Sequence, residues 1–366
     1  MRWHCFQIYY HAENKDRLIL EAIRPVARRL GDKVDSLYYL RHWLRGPHVR
    51  LYVRCSPEVL ATLVNPAVEE LVGRFLAETP STARLDPQEH LPMHRRLAEL
   101  ESENGGLLPW YPDNSFHLIG EADLAPSEPT AADLLADFYS DTTELAFRMT
   151  EDIAAGGRRL GIAFDLMIAT AHTLSGVGLA RGGISFRSHA EAFLHGFPEG
   201  QGLRDAWDRH YRRSSATLVG RVRTVVAELD HATSGVPYVG DWIDALRPYR
   251  DRAGRLVGAG LLTEQGPPPG ADTDIVDLTQ VSPFHRELFA TSAWQEQTEA
   301  TGWFLSYKLV LNYTYLHLTR LGVSPVERFL LCHLAACAVE EAHGMSAVEL
   351  IRTLADPSMT GAEAAR

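Results

Sequence analysis

Alternating apolar and polar residues predict that the N-terminal part of the chain is built from β-strands. The segment Trp3–Tyr10 alternates aromatic, β-branched and polar side chains, which is typical of a half-buried strand. Two further strands are predicted at Ser36–Trp43 and His48–Arg54, joined by a short turn that contains Gly and Pro. In the second of these strands every other residue is apolar, so we expect one face to be buried.

A spacing of three or four residues between apolar positions predicts helices on both sides of this hairpin. Asn14 or Asp16 is expected to cap the first helix, and Ser56 the second. Residues 78–129 are rich in Pro, Asp, Glu and Gly and are predicted to be irregular. Within them only Ser115–Ile119 has the pattern of a strand.

From about Thr130 the helical spacing continues almost to the end of the chain. The last two major helices are predicted at Ser282–Arg320 and Pro325–Glu341, and residues 264–277, with three consecutive prolines, form a loop. The predicted fold class is therefore α+β, with an N-terminal antiparallel or mixed sheet packed against a large C-terminal helical layer. We expect residues 1–350 to form a single domain and residues 351–366 to be a frayed tail.

Composition excludes several classes of protein. The chain has 36 basic and 47 acidic residues, and its net charge of −11 disfavours sequence-independent binding to nucleic acid. The four cysteines are too few and too scattered for a disulfide framework, and none forms a CxxC pair that would bind zinc. No apolar run reaches the roughly 18 residues of a membrane span, and the N-terminus lacks a signal-peptide pattern. A cytoplasmic protein without metal or cofactor is expected.

The predicted hairpin is locally basic despite this negative charge. Arg41, His42 and Arg45 precede a strand whose polar face carries more cationic side chains. Such a strip attracts an acidic peptide or a carboxylate, because arginine makes bidentate contacts to carboxylates. The alternative is a solvated sheet face paired with acidic helices, which the local pattern alone favours. The polar face contains His48, Arg50, Tyr52 and Arg54.

One face of the late predicted helix combines groups that are suited to proton transfer. Spacings of 4, 3, 4 and 3 place Ser306, Val310, Tyr313, His317 and Arg320 in one stripe. A hydroxyl, a phenol, an imidazole and a guanidinium in one row suit acid–base chemistry and stabilisation of an oxyanion. The alternative is that these are satisfied core residues. On adjacent faces of the same helix lie Tyr307, Asn312 and Tyr315.

Two smaller clusters are weaker signals. Residues 185–196 bring Arg187, His189, Glu191 and His195 together, but the His189–His195 spacing is poor for metal ligands and a packing role is favoured. The aromatic segment 107–119, with Trp110, Tyr111 and Phe116, forms either the rim of an apolar site or a covered edge. No phosphate-binding loop, GxGxxG, GxSxG or catalytic Cys–His signature is present.

Several of these segments occur in an order that resembles the elimination domain of lanthipeptide dehydratases, which also occurs as a free-standing protein in thiopeptide biosynthesis. The similar segments span nearly the whole chain. They are SLYYLRHWLRGPHVRLYVR, GLLPWYPDNSF, EPTAADLLADFYSDTTELAF, RSHAEAFLHGF, LTQVSPFHREL and YLHLTRLGVSPVE. The resemblance implies a fold like that of the elimination domain and a ribosomally made peptide as substrate.

The chain departs from the pattern of these eliminases at the residue that matters most for the reaction. Members of the family that remove glutamate from glutamylated Ser or Thr carry a catalytic His four residues before an Asn-Arg-Leu. Here Arg320 matches the Arg and Thr319 replaces the Asn, but Tyr315 stands in the position of the His. His317 lies two positions away, on another face of the helix. A tyrosine with a pKa near its usual value of about 10 is a poor base at neutral pH.

The departure favours the pyridine synthases of the same superfamily. The resemblance then implies a formal [4+2] aza-cycloaddition of two dehydroalanines in a leader-bearing azole peptide, followed by loss of water and of the leader peptide. This reaction needs positioning of two alkenes and a proton donor. The catalytic residues implied are Tyr313, Tyr315, Ser306 and His317. The residues implied to bind substrate or leader are Arg41, His48, Arg50, Arg320, Trp110, Tyr111 and Phe116.

Two other functions remain open at the level of sequence. One is a stand-alone glutamate eliminase in which His317 acts as the base. The other is a non-catalytic subunit that binds the leader peptide. The implied partner is the precursor peptide, whose leader is commonly acidic in this family; neither nucleic acid nor a membrane is expected, and a homodimer is left open.

Overall fold

The computed structural model describes residues 1–100, 105–119, 129–196, 200–231, 235–261, 282–290 and 302–355. Its four strands are β1 (Arg2–Tyr9), β2 (Ser36–His42), β3 (His48–Cys55) and β4 (Ser115–Ile119). They pair in the order β2-β3-β1-β4, and every pairing is antiparallel. The predicted strands are confirmed within one or two residues. With the long helices that follow, the α+β class is confirmed as well.

Two helices cover the apolar face of the sheet. Helix α1 (residues 16–30) consists of Asp16–Leu18, a π-helical turn at Ile19–Ile23 and Arg24–Leu30. Helix α2 (residues 57–78) begins after Ser56, whose hydroxyl accepts a hydrogen bond from the N–H of Val59, as the sequence predicted. The core between sheet and helices includes Ile8, Val49, Leu51, Val53, Ile23, Val26, Val68 and Val72.

The prediction of irregular structure over 78–129 is wrong for one segment. Residues Pro87–Leu100 form helix α3, in which Pro92 lies inside the helix. The polar composition and this proline conceal the helix from an analysis of apolar spacing. A start signal was nevertheless present, because the Asp86 carboxylate accepts a hydrogen bond from the N–H of Gln88 and a proline follows it directly.

The remaining helices follow in chain order. They are α4 (Pro129–Asp141), α5 (Thr143–Ala154), α6 (Arg159–Ala169, continued by a π-helical turn at Thr170–Leu174), α7 (Gly178–Gly182), α8 (Ile184–Gly196), α9 (Gly200–His231), α10 (Val239–Gly258), α11 (Pro283–Ala290), α12 (Trp303–Arg320), α13 (Pro325–His343) and α14 (Ala347–Ala355). The helix predicted at Ser282–Arg320 is therefore represented by α11 and α12, and residues 291–301 lie outside the described residues. The predicted loop at 264–277 also lies outside them.

The described residues divide into two compact units. Unit 1 contains residues 1–158 and 319–322, and unit 2 contains the others. The single domain expected over 1–350 stays a prediction. Of the expected tail, residues 351–355 complete α14 and residues 356–366 lie outside the described part.

Up to Leu318, helix α12 belongs to unit 2, where buried polar groups contact it. Its Thr314 hydroxyl lies 3.1 Å from that of Thr170, which in turn accepts a hydrogen bond of 3.0 Å from the indole of Trp242. Helix α8 contacts it through His189, and α13 through Cys332. Among the described residues no single helix is long and apolar enough to cross a membrane. Residues 159–174 and 178–196, which are bent relative to each other, have together the length and apolar composition of a span.

Candidate functional site

Tyr315 lies in a buried polar cluster of unit 2. Its phenol oxygen is 2.9 Å from Nδ1 of His189 on α8, and the thiol of Cys332 donates to it at 3.5 Å. The guanidinium of Arg328 lies 5.5 Å from the centre of the phenol ring. Tyr315 occupies the position at which the eliminases carry their catalytic histidine. The structure places an imidazole next to it, but this imidazole belongs to His189 on another helix.

The ionisation of this cluster is set by burial. Burial and the neighbouring Cys332 raise the pKa of Tyr315 well above its usual value. Burial, with Arg328 and Lys308 adding positive charge, lowers the pKa of His189 to about 3. Both groups are therefore neutral near pH 7. They can exchange hydrogen bonds with a ligand, but neither is a strong base at neutrality.

Tyr313 and His317 are directed towards a different helix. Tyr313 meets Tyr249 of α10 edge-on at 5.9 Å between ring centres, and His317 lies 4.5 Å from the ring of Trp242. Both side chains are 1% exposed or less. The structure therefore keeps two members of the predicted stripe together and places Tyr315 apart from them.

Ser306 also belongs to the predicted catalytic set. Its hydroxyl donates to the carbonyl of Gly302 at 3.2 Å, one turn earlier, and the side chain is buried. Tyr307, the next residue, donates its hydroxyl to the carbonyl of Gly182 at 2.9 Å. The first bond lies within the start of α12, and the second connects α12 to α7.

Arg320 and Arg41 are engaged inside unit 1. Arg320 is 1% exposed and donates from its two terminal nitrogens to the Tyr139 carbonyl and to the hydroxyls of Thr142 and Thr143, at 2.8–3.1 Å. Arg41 donates to the Arg320 carbonyl at 2.9 Å and pairs with buried Asp16 at 2.5 Å. A role in orienting substrate would require these contacts to break, since the guanidinium groups are already bonded.

Arg50 lies on the basic face of the sheet in a different environment from Arg41 and Arg320. Its Nε donates to Nε2 of His48 at 3.2 Å, and Nδ1 of His48 lies 2.8 Å from the carbonyl of Gly46. Burial and the charge of Arg50 lower the pKa of His48 to about 3, so the imidazole is neutral. Within the described residues no carboxylate forms an ion pair with Arg50. This partly buried cation is free to bind an anion or a carbonyl oxygen.

The predicted aromatic rim divides into two places. Tyr111 stacks on Tyr9 at 4.7 Å between ring centres, and the Arg45 guanidinium lies 4.4 Å above its ring. Phe116, by contrast, packs against the apolar core behind the sheet. The structure therefore does not place Phe116 with Tyr111.

Trp110 lies among imidazoles that the sequence analysis missed. Its ring centre is 5.4–5.6 Å from those of His11, His90 and His94. His90 and His94 come from α3, the helix that was not predicted, although the i, i+4 histidine spacing was visible in the sequence. Within the described residues no group of three or more His, Cys, Asp or Glu side chains could hold a metal ion.

Comparison with known proteins agrees with this fold. The model of the family described as lantibiotic biosynthesis dehydratase C-term matches residues 3–339. The pyridine synthase TbtD from thiomuracin biosynthesis is similar, at 40% identity over 94% of this chain and 99% of its own, with a TM-score of 0.79. TsrL is similar in fold, at 22% identity over 97% and 99%, with a TM-score of 0.71.

A more distant solved structure is the tRNA-dependent lantibiotic dehydratase MibB from Microbispora sp. 107891. The match has 15% identity and a TM-score of 0.48, and it covers 93% of this chain and 28% of MibB. No curated protein matches the chain. The resemblance noted in the sequence is confirmed by the family model and by TbtD: the chain belongs to the family of lantibiotic biosynthesis dehydratase C-terminal domains.

Proposed function

We propose that this protein is a pyridine synthase of thiopeptide maturation. Its reaction is a formal [4+2] aza-cycloaddition of two dehydroalanines in a leader-bearing azole peptide, with loss of water and of the leader peptide. The observation that carries the proposal is the 40% identity to the pyridine synthase TbtD over nearly the full length of both chains.

The reaction does not require a covalent bond between the enzyme and the substrate. One dehydroalanine supplies a carbon–carbon double bond, and the amide next to the other, as its iminol tautomer, supplies the azadiene. Ring closure forms two carbon–carbon bonds, one at the methylene carbon of the second dehydroalanine and one at the iminol carbon. The iminol oxygen then leaves as water and the leader peptide leaves as its amide, which makes the ring aromatic. The enzyme must hold the two alkenes together and supply hydrogen bonds and protons.

The environment of Tyr315 supports cycloaddition over glutamate elimination. An eliminase needs a base that is active near neutral pH. Tyr315 has a raised pKa, and the imidazole next to it, that of His189, has a pKa of about 3. His317, the base of the rival function, is fully buried against Trp242. Neutral hydrogen-bonding groups suit the tautomer and the carbonyl oxygens of a cycloaddition better than they suit proton abstraction.

We assign hydrogen-bond donation to the substrate to Tyr315, whose raised pKa keeps the phenol protonated. Tyr313, Ser306 and His317 are the other candidates on the same helix, and all three are buried. On the sheet, Arg50 is the group best suited to orient a substrate carbonyl or carboxylate, because no carboxylate of the described chain neutralises it. Trp110 and Tyr111 are partly exposed aromatic surfaces on which a flat azole can stack. In this proposal the remaining binding candidates have a structural role, since they stabilise the sheet and the elements packed on it. They are Arg41, Arg320, His48 and Phe116.

Mass spectrometry of a leader-bearing azole peptide with two dehydroalanines tests the function directly. Cycloaddition converts it into a macrocycle that has lost the mass of water and of the leader peptide. An eliminase would leave this substrate unchanged and would act only on a glutamylated precursor. A leader-binding subunit would change neither substrate, and either of these results would contradict the proposal.

The catalytic assignment is tested by removing single hydroxyl groups from α12. We expect Tyr315→Phe to lower kcat by roughly 100-fold or more, as is typical for the loss of a hydrogen-bond donor to the reacting groups. Tyr307→Phe is the matched control, because it removes a hydroxyl of the same helix that is bonded to a backbone carbonyl. It should keep kcat near the wild-type value. Full turnover by folded Tyr315→Phe and Tyr313→Phe would show that neither phenol takes part.

A further inference from the structure

Helix α9 carries a row of exposed arginines that have no partner. The side chains of Arg209, Arg212, Arg213 and Arg223 are exposed, and none of them makes a hydrogen bond or an ion pair with another described residue. Other arginines of the same helix are paired. Arg204 binds Glu191 through two hydrogen bonds of 2.7 and 2.8 Å, and Arg221 binds Asp165 in the same way.

The four exposed arginines, which we call the arginine row, share one side of the helix. At 100° per residue their positions fall within an arc of about 100°, and they extend over about 21 Å of helix axis. The opposite side is buried through Trp207, Val222 and Val225. No Asp or Glu occurs between Arg209 and Ala227, and the nearest carboxylate before the row on the same side is that of Asp205, one turn before Arg209, which accepts a hydrogen bond from Gln201.

Small residues lie between the arginines. Ala216 and Gly220 are exposed and fall within the same arc. A Cβ atom added to Gly220 would meet nothing within 4 Å, so packing gives no reason for a glycine there. A glycine inside a helix destabilises it. What it provides here is a bare stretch of helix surface between two groups of cations, over which an extended chain can lie closely.

The local charge contrasts with that of the whole chain. With a net charge of −11 the protein as a whole repels an acidic partner, so only a locally basic surface can hold one. The hairpin, which is basic in sequence, offers less free charge than expected, because two of its four arginines are engaged. Arg41 is paired with Asp16, and Arg45 donates to the Pro109 carbonyl at 3.0 Å.

We propose that the arginine row is a docking surface for an acidic peptide segment in extended conformation, supplied by the precursor peptide. About six or seven extended residues span the row. Carboxylates of the segment accept hydrogen bonds from the guanidinium groups, which are suited to bidentate contacts. The inference rests on the proposed function for the identity of the peptide, whereas its acidic character follows from the row itself.

Fluorescence anisotropy with a synthetic probe tests the surface. The probe is a labelled peptide of about twelve alternating Glu and Gly residues, long enough to span the row, and its counterpart carries Gln for Glu. The variant Arg209→Gln/Arg212→Gln/Arg213→Gln/Arg223→Gln keeps good helix formers and removes four charges. A matched control removes four other exposed, unpaired arginines: Arg28→Gln/Arg95→Gln/Arg158→Gln/Arg286→Gln.

We expect the row variant to bind the Glu probe about tenfold more weakly or worse, and the control variant to bind like the wild type. Binding to the Gln peptide should be absent, and binding to the Glu probe should weaken as salt shortens the Debye length. Equal loss in both variants would mean that only net charge matters, and would overturn the proposal. So would tighter, row-dependent binding of single-stranded RNA, which would identify a nucleic-acid surface instead.

Turnover separates this inference from the proposed function. With a leader-bearing substrate, the row variant should show a raised KM and an unchanged kcat, because no residue of the row belongs to the catalytic set. A wild-type protein that binds the Glu probe through the row but forms no pyridine would disprove the synthase while leaving the docking surface in place. If the wild type forms pyridine and the row variant has the same KM, the docking surface alone is disproved.

Discussion

Arg320 shows how a single buried cation can be held without a counter-ion from the described part of the chain. Its guanidinium lies 5.0 Å from the ring of Tyr39 and 5.3 Å from that of Tyr139, and it bonds to one carbonyl and two hydroxyls. Burial lowers the pKa of this group from its usual value, but an arginine remains charged at any ordinary pH. These neutral groups form a cage around the guanidinium, and its planar set of N–H donors matches them. An ammonium group, with its charge on one nitrogen, would not.

We therefore expect Arg320→Lys to be destabilising although it keeps the charge. An ammonium group cannot reach the same carbonyl and hydroxyls together, so a charged hydrogen bond is lost and buried acceptors are left unsatisfied. The loss should be about 2 kcal/mol or more of the free energy of unfolding, measured by urea denaturation. Arg17→Lys, in the exposed Arg17–Glu21 pair, is the control and should change stability much less. Equal effects would show that the cage contributes nothing specific.

At the scale of elements, two helices behind the sheet accommodate a proline in the same way. Each contains a π-helical turn, Ile19–Ile23 or Leu60–Val64, and in each a proline follows two residues after the turn, at Pro25 or Pro66. A proline lacks the N–H of a regular helix, and its ring clashes with the carbonyl four residues earlier. A wider turn before it relieves both problems, so the helices continue and keep their apolar faces on the sheet.

The turn between β2 and β3 gives a prediction for this scale. Gly46 has φ of +111°, and a Cβ there would lie 3.0 Å from Nε2 of His11. Gly46→Ala should therefore cost about 1 kcal/mol or more of stability through strain and contact. Gly220→Ala, in an open helical position, should instead stabilise by up to about 1 kcal/mol. Thermal unfolding of both variants checks the opposite signs, and a shift in the same direction would contradict the assigned backbone conformations.

Elements were easier to predict than the contacts between them. The strand at residues 48–54 is marked by strict alternation, which depends only on neighbouring residues. Helix α3 was missed because Pro92 and a polar composition hide its periodicity. The spacing on α12 showed which residues share a face, but not that Tyr315 would meet His189, 126 positions earlier in the chain. Partners that distant follow from packing, which no local pattern encodes.

For the molecule as a whole, buried neutral histidines make stability depend on pH. Burial is the main cause that lowers the pKa of His48 to about 3 and of His333 to about 4, and a nearby arginine adds to it in each case. An unfolded chain binds protons on these groups below a pH of about 6.5, whereas the folded chain does not. Their contribution to stability is therefore complete above pH 6.5 and is lost as the pH falls towards 4 and then 3.

We expect the free energy of unfolding to fall by roughly 1.4 kcal/mol per pH unit for each such histidine over this range. Melting temperatures between pH 7.5 and pH 4.5 measure the slope. His333→Gln should reduce it, since one proton-binding difference is removed. His210→Gln, at an exposed position of α9, should leave it unchanged. An identical slope in wild type and His333→Gln would show that protonation of His333 is not a source of the pH dependence.

The contact between Arg41 and Arg320 has a consequence for the order in which the chain is made. The two residues are 279 positions apart, and the donors of Arg320 satisfy groups on α4, on α5 and on Thr142 between them, all synthesised much earlier. A growing chain emerges from the ribosome N-terminus first, so β1, β2 and β3 are present long before Arg320. Until then the Thr142 and Thr143 hydroxyls lack their donor. Unit 1 therefore reaches its final packing only near the end of translation, and a chain that stops before residue 319 lacks the cation at its centre.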